Sequence, residues 1–155
     1  MSYEPLHLVH QALFGALAAV GFGVLFNFGW RGMPWVALTG AIALAVRTLG
    51  LDAGWSLEAA TFVAAAATGV VVRILGLRLD LQSNALAVAG CIPMVPGAFA
   101  AQTIFGLFAL TSPHSADRSA EATTVVEFLL RVSFTVGAIG AGLAIVGHIL
   151  KSDDF

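Results

Sequence analysis

The chain has 155 residues, of which 59% are hydrophobic and only 10% are charged, with a formal net charge of −2 and a mean hydropathy of +0.93. A soluble domain of this size carries about 25% charged residues to wet its surface, so a soluble enzyme is excluded, and so is disorder, which needs low hydrophobicity. Low charge without a basic run excludes nucleic-acid binding, and the single cysteine excludes a disulfide scaffold.

Five apolar stretches are long enough to form membrane helices, each needing about 20 apolar residues to cross a bilayer. The strict alternation of a membrane β-strand is missing from them, so we predict an all-α integral membrane protein with a five-helix transmembrane bundle. The N-terminus carries Glu4 and no basic residue before Arg31, so we expect the first helix to be retained and not cleaved as a signal. The predicted spans, in one transmembrane domain over 1–155, are about 8–28, 34–49, 56–75, 84–110 and 122–150.

Local signals set the expected ends of these helices. Gly50 suits the position just past the end of the second helix, and Ser56 is a good N-cap for the third. The fifth helix begins either at a capping box formed by Thr124 and Glu127 or earlier, near Ser119.

Basic residues predict the orientation in the membrane, because they favour the cytoplasmic side. With five full spans, four of them fall on the face of the C-terminus, whereas the clear basic residue of the opposite face is Arg118. We therefore expect a cytoplasmic C-terminus and an external N-terminus, unless the fourth helix turns back as a re-entrant segment. The four residues are Arg31, Arg73, Arg78 and Lys151.

The fourth predicted helix contains two prolines, Pro93 and Pro96, within its long uncharged run. Each proline removes a backbone donor and clashes with the preceding turn, so we expect the helix to break here. The break is either a tolerated kink or a discontinuous helix at a substrate site. In the second case a new half-helix begins near Pro96, and the free amides around Gly97 and Ala98 can bind a carboxylate.

Other polar groups within or near the spans have two readings each. Arg47 either extends to the membrane interface or presents a positive charge to an anion, and Arg73 is expected at the interface. Asn27 and Gln102 are interhelical hydrogen-bond partners or substrate contacts, and Glu127 with Arg131 fits an intrahelical pair. The four histidines lack ligand spacing, so we predict no metal site and no cofactor.

Small residues recur at spacings of four in the first and fifth helices. Such faces allow close backbone approach in lipid, and they serve either packing within this bundle or docking of a second protein. The small size of the bundle favours an oligomer or a larger partner. The residues are Gly15, Ala19 and Gly23 in the first helix, and Gly137, Gly140, Ala141 and Ala144 in the fifth.

The sequence resembles the threonine/serine exporter family over nearly its whole length, and more closely its small YjjB-like subunit. The resemblance rests on a motif in the first helix, on two arginines and on the break in the fourth helix. These are Val20-Gly21-Phe22 with Phe26-Asn27, then Arg47 and Arg73, and Ile92-Pro93-Met94-Val95-Pro96-Gly97.

The resemblance implies a subunit of a secondary exporter in the bacterial inner membrane, with no enzymatic activity. It implies threonine and serine as substrates of the fused proteins, and succinate for a split pair in which a larger YjjP-like subunit is the partner. The expected substrate-binding residues are Asn27, Arg47, Pro93, Pro96, Gly97, Ala98 and Gln102. The alternative is a membrane scaffold that transports nothing, in which the broken helix only packs.

Overall fold

The computed structural model describes residues 5–79, 83–111 and 118–150. Every regular element in these residues is helical, and four helices are long and apolar enough to cross a membrane: α1, α2, α3 and α6. The shorter α4 and α5 meet that criterion only as a pair. The prediction of an all-helical membrane protein is confirmed at the level of four or five apolar helices. The elements are α1 (Pro5–Leu25), α2 (Met33–Asp52), α3 (Leu57–Leu79), α4 (Ser83–Cys91), a 3-10 turn (Ile92–Met94), α5 (Gly97–Thr111) and α6 (Arg118–Ile149).

The chain forms two compact units. The first unit comprises the described residues up to Met94 and those from Ala138 onward, so it holds α1 to α4, the 3-10 turn and the last third of α6. The second unit comprises Val95–Gly137 and holds α5 with the rest of α6.

Helices α1 and α2 pack closely in the first unit because small residues face each other. A Cβ added to Gly15 would lie 2.5 Å from the Gly40 carbonyl oxygen, and one added to Gly40 would collide with Gly15 and Ala19. Gly23 likewise faces Val36. For the small-residue face of α1, internal packing is therefore the confirmed reading.

The end of α2 lies three residues beyond the predicted one. Gly54 has a φ of +84°, and the amide of Trp55 donates to the Gly50 carbonyl while that of Gly54 donates to Leu51, as in a Schellman C-cap. Gly50 is instead a buried helical residue, where a Cβ would lie 2.9 Å from Cβ of Ala60. Helix packing, and not helix termination, explains that glycine.

Two helix starts were predicted from caps, with different outcomes. The Ser56 hydroxyl accepts from the amide of Ala59 at 3.2 Å, so the N-cap of α3 is confirmed. For α6 the alternative start near Ser119 is confirmed, because the helix begins at Arg118. The capping box is wrong, since the Thr124 hydroxyl donates to the Ala120 carbonyl.

The helices of the first unit alternate in direction. Gly15 of α1 faces Gly40, and Gly23 faces Val36, so α1 and α2 are antiparallel. Gly90 faces Thr39 while Met94 binds Arg47, so α4 runs parallel to α2. In the same way α3 runs parallel to the last third of α6, because their contacts follow the same order along both helices. The contacts are Phe62 with Gly142, Gly69 with Val146, and Arg73 with Leu150.

The second unit is an antiparallel hairpin of α5 and the first part of α6. Gly106 faces Val125, and Phe99 stacks on Phe128 at 5.5 Å between ring centroids. The Thr103 hydroxyl is buried and donates to the Phe99 carbonyl, so burial of this hydroxyl costs no hydrogen bond.

Candidate functional site

The predicted break falls where α4 gives way to α5. Helix α4 ends at Cys91, Pro93 lies within the 3-10 turn, and Pro96 directly precedes α5. The first α-helical hydrogen bond of α5 runs from the amide of Ala100 to the Pro96 carbonyl at 3.1 Å. Each proline therefore occupies a position where its missing amide costs no α-helical hydrogen bond.

Arg47 holds the end of the 3-10 turn in the first unit. Its Nη1 donates to the Met94 carbonyl at 2.8 Å, and its side chain is half-buried. Carbonyls at a helix end lack intrahelical donors and carry partial negative charge, so a guanidinium stabilises them. The guanidinium also has four further N–H groups, for which the described residues provide no acceptor. A contact between Arg47 and substrate stays a prediction.

The first turn of α5, in the second unit, presents unpaired backbone donors. The amide of Gly97 donates to the Val95 carbonyl at 2.8 Å, whereas those of Ala98 and Phe99 have no acceptor among the described residues. Gly97 and Ala98 are exposed, and a Cβ at Gly97 would have no atom within 4 Å. A ligand could therefore reach this backbone.

A charged pair on α6 lies beside that first turn, also in the second unit. Arg131 donates through Nε and Nη2 to Glu127 Oε1, at 3.1 and 3.0 Å, which confirms the predicted intrahelical pair. The guanidinium carbon of Arg131 lies 5.7 Å from the centre of the Phe99 ring, within the range of a cation–π contact. The spacing of four predicted the pair, but no sequence signal predicted its contact with Phe99.

Asn27 has a backbone role that sequence reasoning missed. It has a φ of +56°, and it follows α1 as the left-handed residue of a Schellman cap: the amide of Phe28 donates to Gly23, and that of Asn27 to Val24. Asparagine tolerates this conformation better than most residues, which is the signal that could have predicted the role.

The predicted site residues do not all come together. Asn27 lies beside the start of α2, whereas Arg47 lies about 20 Å further along that helix, counting 1.5 Å per residue from Met33. One small ligand of a few carbon atoms cannot contact both. Gln102 is exposed on the second turn of α5, and its side chain makes no hydrogen bond within the described part of the chain. Pro96 is buried and Pro93 half-buried.

Comparison with known proteins gives one family. The family model described as threonine/serine exporter, ThrE, matches residues 11–149, which is most of the chain. No solved structure matches.

Proposed function

Because the chain belongs to the threonine/serine exporter family, we propose that it is one subunit of a secondary exporter for a small carboxylate metabolite. The proposed substrates are threonine and serine, with a dicarboxylate such as succinate as the alternative. The single observation that carries a transport role within this family is the interruption between α4 and α5, with its free amides. In a scaffold without transport, unpaired donors within an apolar segment would only destabilise the folded protein.

The first turn of α5 is the proposed carboxylate site. The unpaired amides of Ala98 and Phe99 form the positive end of a helix dipole, and the open space at Gly97 lets an oxygen approach them. Arg131 lies over the Phe99 ring in the same unit, with its charge balanced by Glu127. Broken helices bind substrate carboxylates in this way in other transporters, and all three proposed substrates carry a carboxylate.

Arg47 has a supporting part in this proposal. By donating to the Met94 carbonyl, it stabilises the C-terminal end of the 3-10 turn three residues before Gly97 in the chain. We assign it as a positioning residue that holds the end of the 3-10 turn.

The proposed orientation has the N-terminus outside and the C-terminus in the cytoplasm of a bacterial inner membrane. The alternating directions of α1, α2, α3, α4 and the last third of α6 support an odd number of crossings. The basic residues near the helix ends on the side of the C-terminus support the assignment of that side to the cytoplasm. A cysteine placed beside Ser152 should resist an impermeant reagent added to intact cells, and ready labelling would reverse the orientation.

The decisive test of the function is efflux. Cells with and without this chain, each expressing the larger subunit, would be loaded with threonine, serine or succinate, and the rate of loss to the medium would be measured. We expect the chain to raise efflux of at least one of the three. If the efflux rate of each substrate is the same with and without this chain, the protein is a scaffold that does not transport.

A further inference from the structure

A cavity in the first unit is a second candidate for a binding site. A cavity of about 480 Å³ separates the C-terminal half of α3 from the start of α4 and the last turns of α6. Eight of the ten residues that line it are apolar, many of them small, such as Gly69, Ala87 and Gly147. A Cβ at Gly147 would have no atom within 4 Å, so the wall is recessed there. The volume and the wall fit a hydrocarbon chain.

Arg73 and Asn84 are the polar side chains among these lining residues. Nη2 of Arg73 donates to the Leu150 carbonyl at 3.3 Å, which places the guanidinium beside the C-terminal end of α6. The described residues offer no acceptor to its other N–H groups, although a guanidinium has five. Positive charge and spare donors therefore lie at one end of an apolar cavity.

We propose that this cavity binds an anionic phospholipid, with one acyl chain along the apolar wall and the phosphate on Arg73. A basic residue at a helix end beside an apolar interhelical cavity matches the two parts of such a lipid. Threonine and succinate fit less well, since each has polar groups at both ends and would press one against the apolar wall. The site is independent of what the protein exports.

The test uses the purified full chain in detergent and two lipids with identical acyl chains, phosphatidylglycerol and phosphatidylcholine. Native mass spectrometry gives the affinity for each lipid. One arginine near an anionic headgroup contributes about fivefold in affinity, so we expect phosphatidylglycerol to bind about fivefold more tightly. Arg73→Gln should remove this preference and Arg73→Lys should keep most of it, while Arg31→Gln, which changes an exposed arginine outside the cavity, should leave it unchanged.

The acyl part is tested by filling the cavity. Gly147→Leu should weaken binding of both lipids severalfold, whereas Gly21→Leu, at an equally open position of α1, should not. Equal affinity of the wild-type chain for the two lipids, or an unchanged preference in Arg73→Gln, would overturn the proposal. So would displacement of phosphatidylglycerol by glycerol 3-phosphate at matched concentration, because the site would then hold a free anion. Thermal unfolding of each variant confirms that it is folded.

Discussion

Two residues that the sequence grouped as candidate substrate contacts, Asn27 and Arg47, each lie at the end of a helical segment. Asn27 adopts a left-handed backbone after α1, and Arg47 binds the last carbonyl of the 3-10 turn. The spacing of Glu127 and Arg131 made their pairing predictable, because partners four residues apart meet on one helix face. The bond between Arg47 and Met94 joins residues far apart in sequence, so no local pattern could reveal it.

The cap at Asn27 gives a prediction about backbone conformation. Asn27→Val should lower the free energy of unfolding by about 1–2 kcal/mol, since a β-branched residue is strained at positive φ. Asn27→Gly should keep both stability and export, because glycine adopts this conformation freely. Thermal unfolding and efflux of the two variants would be compared. A stable Asn27→Gly variant without export would show that the asparagine side chain acts on substrate.

Arg47 should affect the rate of export more than the affinity for substrate. A hydrogen bond to a charged group contributes about 1.5–3 kcal/mol, so losing it in Arg47→Gln should lower the maximal export rate by more than tenfold. The half-saturating concentration should change little, and Arg47→Lys should recover part of the rate because it keeps a cationic donor. These values come from the reconstituted complex. A large rise in half-saturating concentration at an unchanged rate would make Arg47 a direct substrate ligand.

At the scale of whole helices, the apolar stretches predicted where helices lie better than where they end. The end of α2 was misassigned because Gly50 and Gly54 both fit a C-cap, and only the tertiary contact of Gly50 with Ala60 separates the two roles. The start of α6 was left open between Thr124 and the earlier Ser119, because Thr124 and Glu127 fit a capping box, and the earlier start is the observed one. Helix ends depend on such competition between local and long-range contacts, which the sequence alone does not resolve.

The first turn of α5 gives the sharpest prediction about an element. Gly97→Leu should abolish export while the protein still inserts, because the new side chain would enter open space and block access to the amides of Ala98 and Phe99. Efflux and the amount of folded protein in the membrane would be measured together.

Gly21→Leu is the matched control for that experiment. Gly21 is also exposed with no atom within 4 Å of an added Cβ, but it lies within α1 and keeps its intrahelical bonds. The same substitution there should leave export intact. Full export by Gly97→Leu would remove the first turn of α5 from the site.

At the scale of the molecule, the sequence predicted the fold class but not the division into two units. The composition predicted a membrane protein of five helices, because apolar length alone decides that class, and the structure has four or five helices that could span a membrane. The division after Met94 and before Ala138 follows from tertiary contacts, although the four charged residues of α6 all lie before Ala138. The sequence did not predict the cavity beside Arg73 either, since its ten lining residues come from three helices.

The exposed small residues of α6 carry the prediction about a partner. Gly137 and Gly140 each have no atom within 4 Å of an added Cβ, and Ala141 is exposed, unlike the buried small residues of α1. Such a face permits close helix packing in lipid, which supports docking of a larger YjjP-like subunit. This chain reconstituted alone should therefore give no substrate flux above empty vesicles.

Gly140→Leu should reduce co-purification with the larger subunit by more than tenfold, while Gly21→Leu should not. Unchanged co-purification of Gly140→Leu would remove this face from the interface. The need for a partner would be contradicted by robust flux from the lone chain in vesicles where cross-linking detects no oligomer.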